Sequence, residues 1–247
     1  MHRFFLPPHL TTGDRVQLSE TDALHAARVL RLQPGDPVVI LDGAGGELGG
    51  VVESCGRREV SVTIQQRRRH PRRTAEITLI QAVAKTKAMD GLLQKAVELG
   101  VARAVPLMAA HCVSQPDAPG DKQAKWQTLA IEAAKQCGNP WLTKIEEPLT
   151  PAHWLQRRES FDLLLIGSLI DPPQHPRAVF DAFVAQHGRK PVSVGILVGP
   201  EGDFSAAEYA AFRAAGAQSI TLGPLVLRVE TAVAAFVAVV QHELTAG

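Results

Sequence analysis

Val192-Ser193-Val194-Gly195-Ile196-Leu197-Val198-Gly199-Pro200-Glu201-Gly202-Asp203-Phe204-Ser205 decides the architecture. It begins as a continuous apolar run, Val192–Val198, without the alternation of a half-exposed strand, so it belongs to a strand covered on both faces. Two glycines and a proline follow, which expose main-chain amides and carbonyls and let a ligand approach closely. Ser205-Ala206-Ala207-Glu208 then reads as a capping box that opens a helix. Strand, loop and helix in this order are the unit of a parallel α/β sheet.

The same unit recurs on either side. Ile77–Ile80, Ala104–Leu107 and Leu163–Ile166 are short apolar strands, and Ser219–Leu222 is another. Between them lie helical stripes. Met89, Leu92, Leu93, Ala96 and Val97 end at Gly100, a C′ glycine. Trp126, Leu129, Ala130, Ala133 and Cys137 repeat the spacing. Thr150-Pro151 is an N-cap with proline at the first helical position. Helices over Pro176–His187, from Ser205, and from Glu230 to Leu244 complete a mostly parallel sheet covered on both faces.

The first 72 residues differ. Val16–Leu18, Val38–Leu41, Val51-Val52 and Glu59–Ile64 predict a small β-rich unit, with one helix from Asp22 to Leu32 capped by Ser19. Gly43–Gly50 reads as a hairpin turn, because position 48 is leucine and a strand follows; it is not a dinucleotide-binding loop. Arg67-Arg68-Arg69-His70-Pro71-Arg72-Arg73 keeps neither period and reads as a linker, while its five guanidinium groups also suit phosphate contacts.

Lys plus Arg number 26 against 25 acids, a net charge of +1 that indicates no particular partner. Residues 1–80, however, hold 11 Arg, no Lys and 9 acids. No stretch of about 18 apolar residues exists to span a membrane. Met1-His2-Arg3-Phe4-Phe5 leads into Pro7-Pro8 without a signal core. Cys55, Cys112 and Cys137 fit buried thiols in a reducing cytoplasm. His111-Cys112 lacks partners at metal-ligand spacing, so no metal is expected.

Ligands of parallel sheets bind beyond the carboxyl ends of the strands. The 198–205 loop is one such end. Leu222-Gly223-Pro224-Leu225-Val226-Leu227-Arg228-Val229-Glu230-Thr231-Ala232 is a second, and Gly167-Ser168 a third. Glu230 fits a first-turn acid that complements the helix dipole, whereas Arg228 opposes it by a few tenths of a kcal/mol. Glu98 is likewise misplaced at its helix end, unless Lys95 pairs with it.

His25-Ala26-Ala27-Arg28-Val29-Leu30-Arg31, Gln94–Val101, Ala134-Lys135-Gln136-Cys137-Gly138, Val198–Gly202 and Leu222–Ala232 together resemble the RsmE family, 16S rRNA uracil-N3 methyltransferases of the SPOUT class. The resemblance implies a PUA-like β-barrel over 1–72 and a SPOUT domain over 73–247 with a C-terminal trefoil knot. It implies S-adenosylmethionine held by Val198, Gly199, Pro200, Gly202, Leu222, Gly223 and Leu227, and a homodimer whose active site draws on both subunits. Arg228 would stabilise charge on the uracil oxygens, with Glu230 or Glu201 orienting it or taking the proton; Glu201 equally suits a loop brace. Arg3, His25, Arg28, Arg31 and Lys95 would meet the RNA, as free 16S rRNA or the 30S subunit. Three positions depart from the family pattern: Asp203 where glycine is common, and Leu225 and Asn139 where arginine is. A non-catalytic RNA-binding or ribosome-assembly factor is the rival these departures leave open.

Overall fold

The computed structural model describes residues 1–113, 119–168 and 172–245, with side chains left out at 119–121. Its contacts divide the chain into two compact units, Met1–Arg72 with Ile131–Leu142, and Arg73–Ala130 with Thr143–Gly247.

The first unit holds a five-stranded sheet of β1 (His2–Phe5), β2 (Arg15–Gln17), β3 (Pro37–Leu41), β4 (Gly46–Cys55) and β5 (Val60–Arg69). Their order is β1-β3-β4-β5-β2, antiparallel except for β1 beside β3. Phe4, Leu6, Val38, Ile40, Leu48, Val52, Val60 and Val62 fill its core. Two bulges interrupt the β4–β5 ladder. At one of them Gly50 is obligatory, since a Cβ would lie 2.4 Å from the Thr63 carbonyl oxygen.

Three expectations for this unit are corrected. The hairpin turn is confined to Asp42–Gly45, where one Asp42 carboxylate oxygen accepts the Ala44 and Gly46 N–H groups at 2.7 Å. Gly46–Gly50 already belongs to β4. The arginine run is not all linker: Arg67–Arg69 end β5, paired with Leu48, Glu47 and Gly46. The ladder overrides the missing apolar period, because long charged side chains on an open face leave the main-chain pairing intact. The helix expected over 22–32 is α1 (Glu20–Leu24), continued by a wider π-type turn over His25–Leu30 that ends at Arg31 in left-handed geometry. Ser19 caps α1 as expected, accepting the Asp22 N–H. The strand β1 escaped the sequence reading.

The second unit is a six-stranded sheet in which every neighbouring pair is parallel. In chain order it contains β6 (Glu76–Ala82), α2 (Thr86–Glu98), β7 (Arg103–Leu107), α3 (Pro119–Cys137, its last turns counted with the first unit), β8 (Lys144–Ile145) and α4 (Pro151–Gln156). There follow β9 (Leu163–Gly167), α5 (Pro176–His187), β10 (Ser193–Val198), α6 (Ala206–Ala214), β11 (Gln218–Ile220) and α7 (Val229–Thr245). The sheet order is β11-β9-β10-β6-β7-β8. The strands β6, β9 and β10 are buried almost throughout, as continuous apolar runs require. The helix α7 packs its Val233, Phe236, Val237 and Val240 into the core and contacts α2, α5 and β10. Among the described residues no helix is long and apolar enough to cross a membrane.

The order explains where a site can form. After β9 the chain inserts β10 between β9 and β6, then passes β9 to lay down β11 on its far side. The loops leaving β9, β10 and β11 therefore crowd together at the carboxyl edge, where the winding direction reverses.

Candidate active site

The carboxyl ends of β6, β9, β10 and β11 border a single cavity of about 860 Å³, within the roughly 300–1,000 Å³ of small-molecule sites. Val198, Gly199, Pro200, Glu201 and Asp203 form one wall. Ile220–Gly223 and Leu225–Glu230 form the facing one, Gly167 and Ser168 the back. Lys85, Lys87, Ala88 and Gly91, at the start of α2, close the fourth side.

The 199–203 loop is fixed at several points. A Cβ on Gly199 would stand 2.6 Å from Asp203 Oδ1 and 3.1 Å from its Cα, so only glycine fits. Asp203 takes φ +59°, the left-handed region where glycine is common and aspartate is tolerated. Its carboxylate accepts the Phe204 N–H at 2.8 Å and the hydroxyl of buried Tyr209 at 3.0 Å. The departure at 203 thus ties the loop to α6. His111 Nδ1 lies 3.0 Å from both the Gly202 and Asp203 carbonyl oxygens, which requires its proton on Nδ1. Fully buried Gln81 donates through Nε2 to the Ala82 and Gly199 carbonyls at 2.7 and 3.3 Å. Its Oε1 has no hydrogen-bond partner among the described residues. Glu208 completes the capping box with Ser205 and accepts the Ala110 N–H as well.

On the facing wall Gly223, at φ +116°, donates its N–H to Thr221 Oγ1 at 3.1 Å. The chain then exposes Leu225 and Val226, 73 and 78 % accessible, before Arg228 accepts the Ala232 N–H at the head of α7. Arg228 is exposed and its guanidinium makes no ion pair among the described residues, although its place opposes the helix dipole. Glu230 follows, half-buried, in the first turn.

The structure brings Arg228, Glu230, Glu201, Val198, Gly199, Pro200, Leu222, Gly223 and Leu227 around the cavity. Gly202 is not part of the wall; it is exposed and faces His111. Glu201 Oε1 accepts the Lys85 N–H at 3.1 Å, the contact of a brace between the loop and α2. Lys95 lies away from the cavity and pairs with Glu98 at 2.8 Å, which accounts for that acid at a helix end. Arg3, in the first unit, donates to the Gln136 and Lys135 carbonyls at 3.0 and 3.4 Å, and so closes the end of α3. His25, Arg28 and Arg31 are exposed on the π-type turn. The thiols are less buried than expected: Cys137 is exposed, Cys55 and Cys112 half-buried. Burial pushes the Cys112 thiol above its ordinary pKa, which makes it a poor nucleophile. Among the described residues no group of three His, Cys, Asp or Glu could hold a metal ion.

The sequence reading missed the fourth wall. The signal was present, since Ala82-Val83-Ala84-Lys85-Thr86-Lys87 is also a strand end leading into a helix; without a glycine–proline pair it did not stand out.

The RNA methyltransferase domain family matches residues 71–241, and the RNA methyltransferase PUA domain family matches residues 10–65. The ribosomal RNA small subunit methyltransferase E of Mycobacterium bovis is 30 % identical over 94 % of this chain and 87 % of its own length. This chain belongs to the ribosomal RNA small subunit methyltransferase E family. Among solved members, the Neisseria gonorrhoeae enzyme bound to S-adenosylmethionine has a TM-score of 0.84 at 27 % identity, covering 98 % of this chain and 97 % of that one. A Legionella pneumophila methyltransferase in complex with S-adenosylmethionine gives 0.87 at 28 % identity with the same coverage. With this family, the small N-terminal sheet is a PUA-like domain and the parallel sheet a methyltransferase domain.

Proposed function

We infer that the chain transfers a methyl group from S-adenosylmethionine to 16S rRNA of the small ribosomal subunit, at N3 of a uridine. The observation that carries this is the convergence of the loops after β9, β10 and β11 on one cavity, in a chain whose solved relatives hold that cofactor. The cavity suits it: the wall is largely apolar, Val198–Pro200 and Leu222-Gly223 line it from opposite sides, and the space beside Gly199 is already filled to the limit a Cβ would exceed.

When bound, the cofactor supplies a methyl already activated on a sulfonium, so the protein needs neither a nucleophile nor a metal. The work left to this chain is alignment, exclusion of water and charge. Main-chain groups of Val198, Gly199, Leu222 and Leu227 hold the purine, and Gln81 fixes the Gly199 carbonyl from behind. Uracil N3 carries a proton at neutral pH and is buried in a base pair, so the base must be single-stranded or flipped. Arg228 stabilises the charge that develops on the uracil oxygens as that proton leaves. Glu230 is the better placed of the two acids to orient Arg228 or take the proton, since Glu201 already holds the Lys85 N–H.

The same reading takes the connections around β9, β10 and β11 as a trefoil knot. It takes the active species as a homodimer, for which exposed Leu225 and Val226 at the cavity rim are the supporting feature. It places RNA phosphates against Arg28 and Arg31 of the PUA-like domain, on free rRNA or the 30S subunit in the cytoplasm. The rival, a non-catalytic assembly factor, gains no support: of its two departures, Asn139 lies in the first unit, and Leu225 leaves Arg228 in the wall.

Mass spectrometry of small-subunit rRNA from a deletion strain tests the reaction. Loss of N3-methyluridine, restored by the wild-type chain, is expected. Its persistence without the protein would refute the assignment.

A further inference from the structure

Two groups in the cavity wall have no role in the mechanism above. Lys85 is the N-cap residue of α2 and Lys87 lies in its first turn. Lys95, Lys125 and Lys135 are each ion-paired to a carboxylate. Lys85 and Lys87 are exposed and have no such partner among the described residues. The acids nearest in the wall are engaged elsewhere: Glu201 by the Lys85 main-chain N–H, Asp203 by Phe204 and Tyr209. Glu230 and Arg228 stand on the α7 side.

The rest of this wall is shaped to admit a ligand. Helical periodicity sends Met89, Leu92, Leu93, Ala96 and Val97 into the core, and turns Lys87, Ala88 and Gly91 toward the cavity. At Gly91 a Cβ would meet nothing within 4 Å, so space and not packing adjoins the helix there. The cavity therefore has two chemically distinct halves. One is apolar and rich in main-chain groups, between the loops after β10 and β11; the other is small-surfaced and carries two ammonium groups.

We propose that Lys85 and Lys87 are the anion-recognising edge of this cavity, taking a carboxylate or phosphate oxygen of the ligand whose purine lies between the two loops or of the RNA strand beside it. The proposal deepens the functional reading and rests on it. Two sources carry such an oxygen: the amino-acid end of the cofactor and the target-strand phosphate.

The K85Q/K87Q double variant separates them, with K85R/K87R as the charge-conserving partner. Calorimetry on the full chain measures the affinity for S-adenosylhomocysteine and for 5′-methylthioadenosine, which keeps the adenosine and lacks the amino-acid end. A fluorescent 16S-derived oligonucleotide titrated at several salt concentrations reports RNA affinity. If the carboxylate is the anion, the glutamine variant binds S-adenosylhomocysteine about tenfold or more weakly, methylthioadenosine as before, and the arginine variant recovers. If a phosphate is the anion, both nucleosides bind unchanged, RNA affinity falls, and the salt slope for a single strand drops by about 1.4 for two contacts. Unchanged affinity for all three ligands overturns the proposal. So does equal weakening of the two nucleosides, which would make the lysines shapers of the wall only. A wild-type chain that binds neither nucleoside breaks the functional reading instead, and leaves the lysines to be judged on the RNA titration alone.

Discussion

In the PUA-like unit, Arg3 holds the carbonyls at the end of α3, Arg67 those of Thr11 and Gly13, and Lys135 the carboxylate of Asp22, while Arg69 and Arg72 lie 5.5 and 5.8 Å from the Trp141 ring centre. In the methyltransferase unit, Lys85, Lys87 and Arg228 line a cavity and pair with no carboxylate among the described residues. The first set fastens the chain to itself; the second is left open to the cavity. A run of basic residues therefore says less about a partner than the saturation of each cation's donors does. Among the described residues the same test leaves Arg28, Arg31, Arg57 and Arg68 as exposed guanidinium groups of the first unit with no partner, and shifts the RNA expectation from Arg3 to Arg28 and Arg31.

The contrast can be broken experimentally. The largest effect is expected at Arg228→Ala: methyl transfer falls by about 10² or more, as for loss of an oxyanion donor, while calorimetric affinity for S-adenosylmethionine stays within about twofold. Near-normal turnover would move Arg228 to the fastening class. Gly199→Ala acts on the other function of the same site. Its Cβ has no room beside Asp203, so cofactor affinity should drop by about tenfold or more, roughly 1.4 kcal/mol. Tight binding by that variant would show that the loop yields.

In the PUA-like unit, Lys135→Met should leave cofactor affinity alone and lower stability. It strands the nearly buried Asp22 carboxylate, an effect of about 3 kcal/mol in urea unfolding. Burial lowers the Lys135 pKa, but the hydrogen bonds its ammonium donates to Asp22 and Glu132 outweigh that and hold the group above the ordinary lysine value. The folded pKa is raised, so from neutrality up to about pH 10 the contribution of Lys135 is present in full. On the alkaline side of neutrality the wild-type advantage over the variant should shrink only as pH rises through the folded value. A difference that shrinks near neutrality would show that the pair is not responsible. The smallest effect is at Tyr209→Phe, which removes the hydroxyl's contacts with the Asp203 carboxylate and the Gly167 carbonyl and should cost about 1 kcal/mol, with a slight loss of cofactor affinity through the loop.

Much of this was legible in the sequence. The parallel sheet followed from runs such as Ile77–Ile80 and Leu163–Ile166, which no half-exposed strand tolerates. Cap chemistry placed the heads of α1, α4 and α6, because Ser19, Thr150 and Ser205 can each satisfy an orphan N–H. Arg228 was conspicuous because it opposes a helix dipole. Local pattern could not show partners distant in sequence. Arg67–Arg69 became strand through pairing with Gly46–Leu48, and Arg3 became a fastener through carbonyls more than 130 residues away. The lysines of α2 were silent for a similar reason: only the sheet order brings the end of β6 beside that of β10. The roles of Glu201 and Asp203 likewise depended on contacts, a helix amide for one and a buried phenol for the other.

One carboxylate ties two of these walls together. Because Glu201 accepts the N–H of Lys85, the N-cap residue of α2, the loop after β10 and the lysine-bearing helix cannot drift apart independently. A tug on either should be felt at the other, so a Glu201→Ala chain, which lacks the acceptor, would be expected to lose its coordination between the two walls before either wall comes apart.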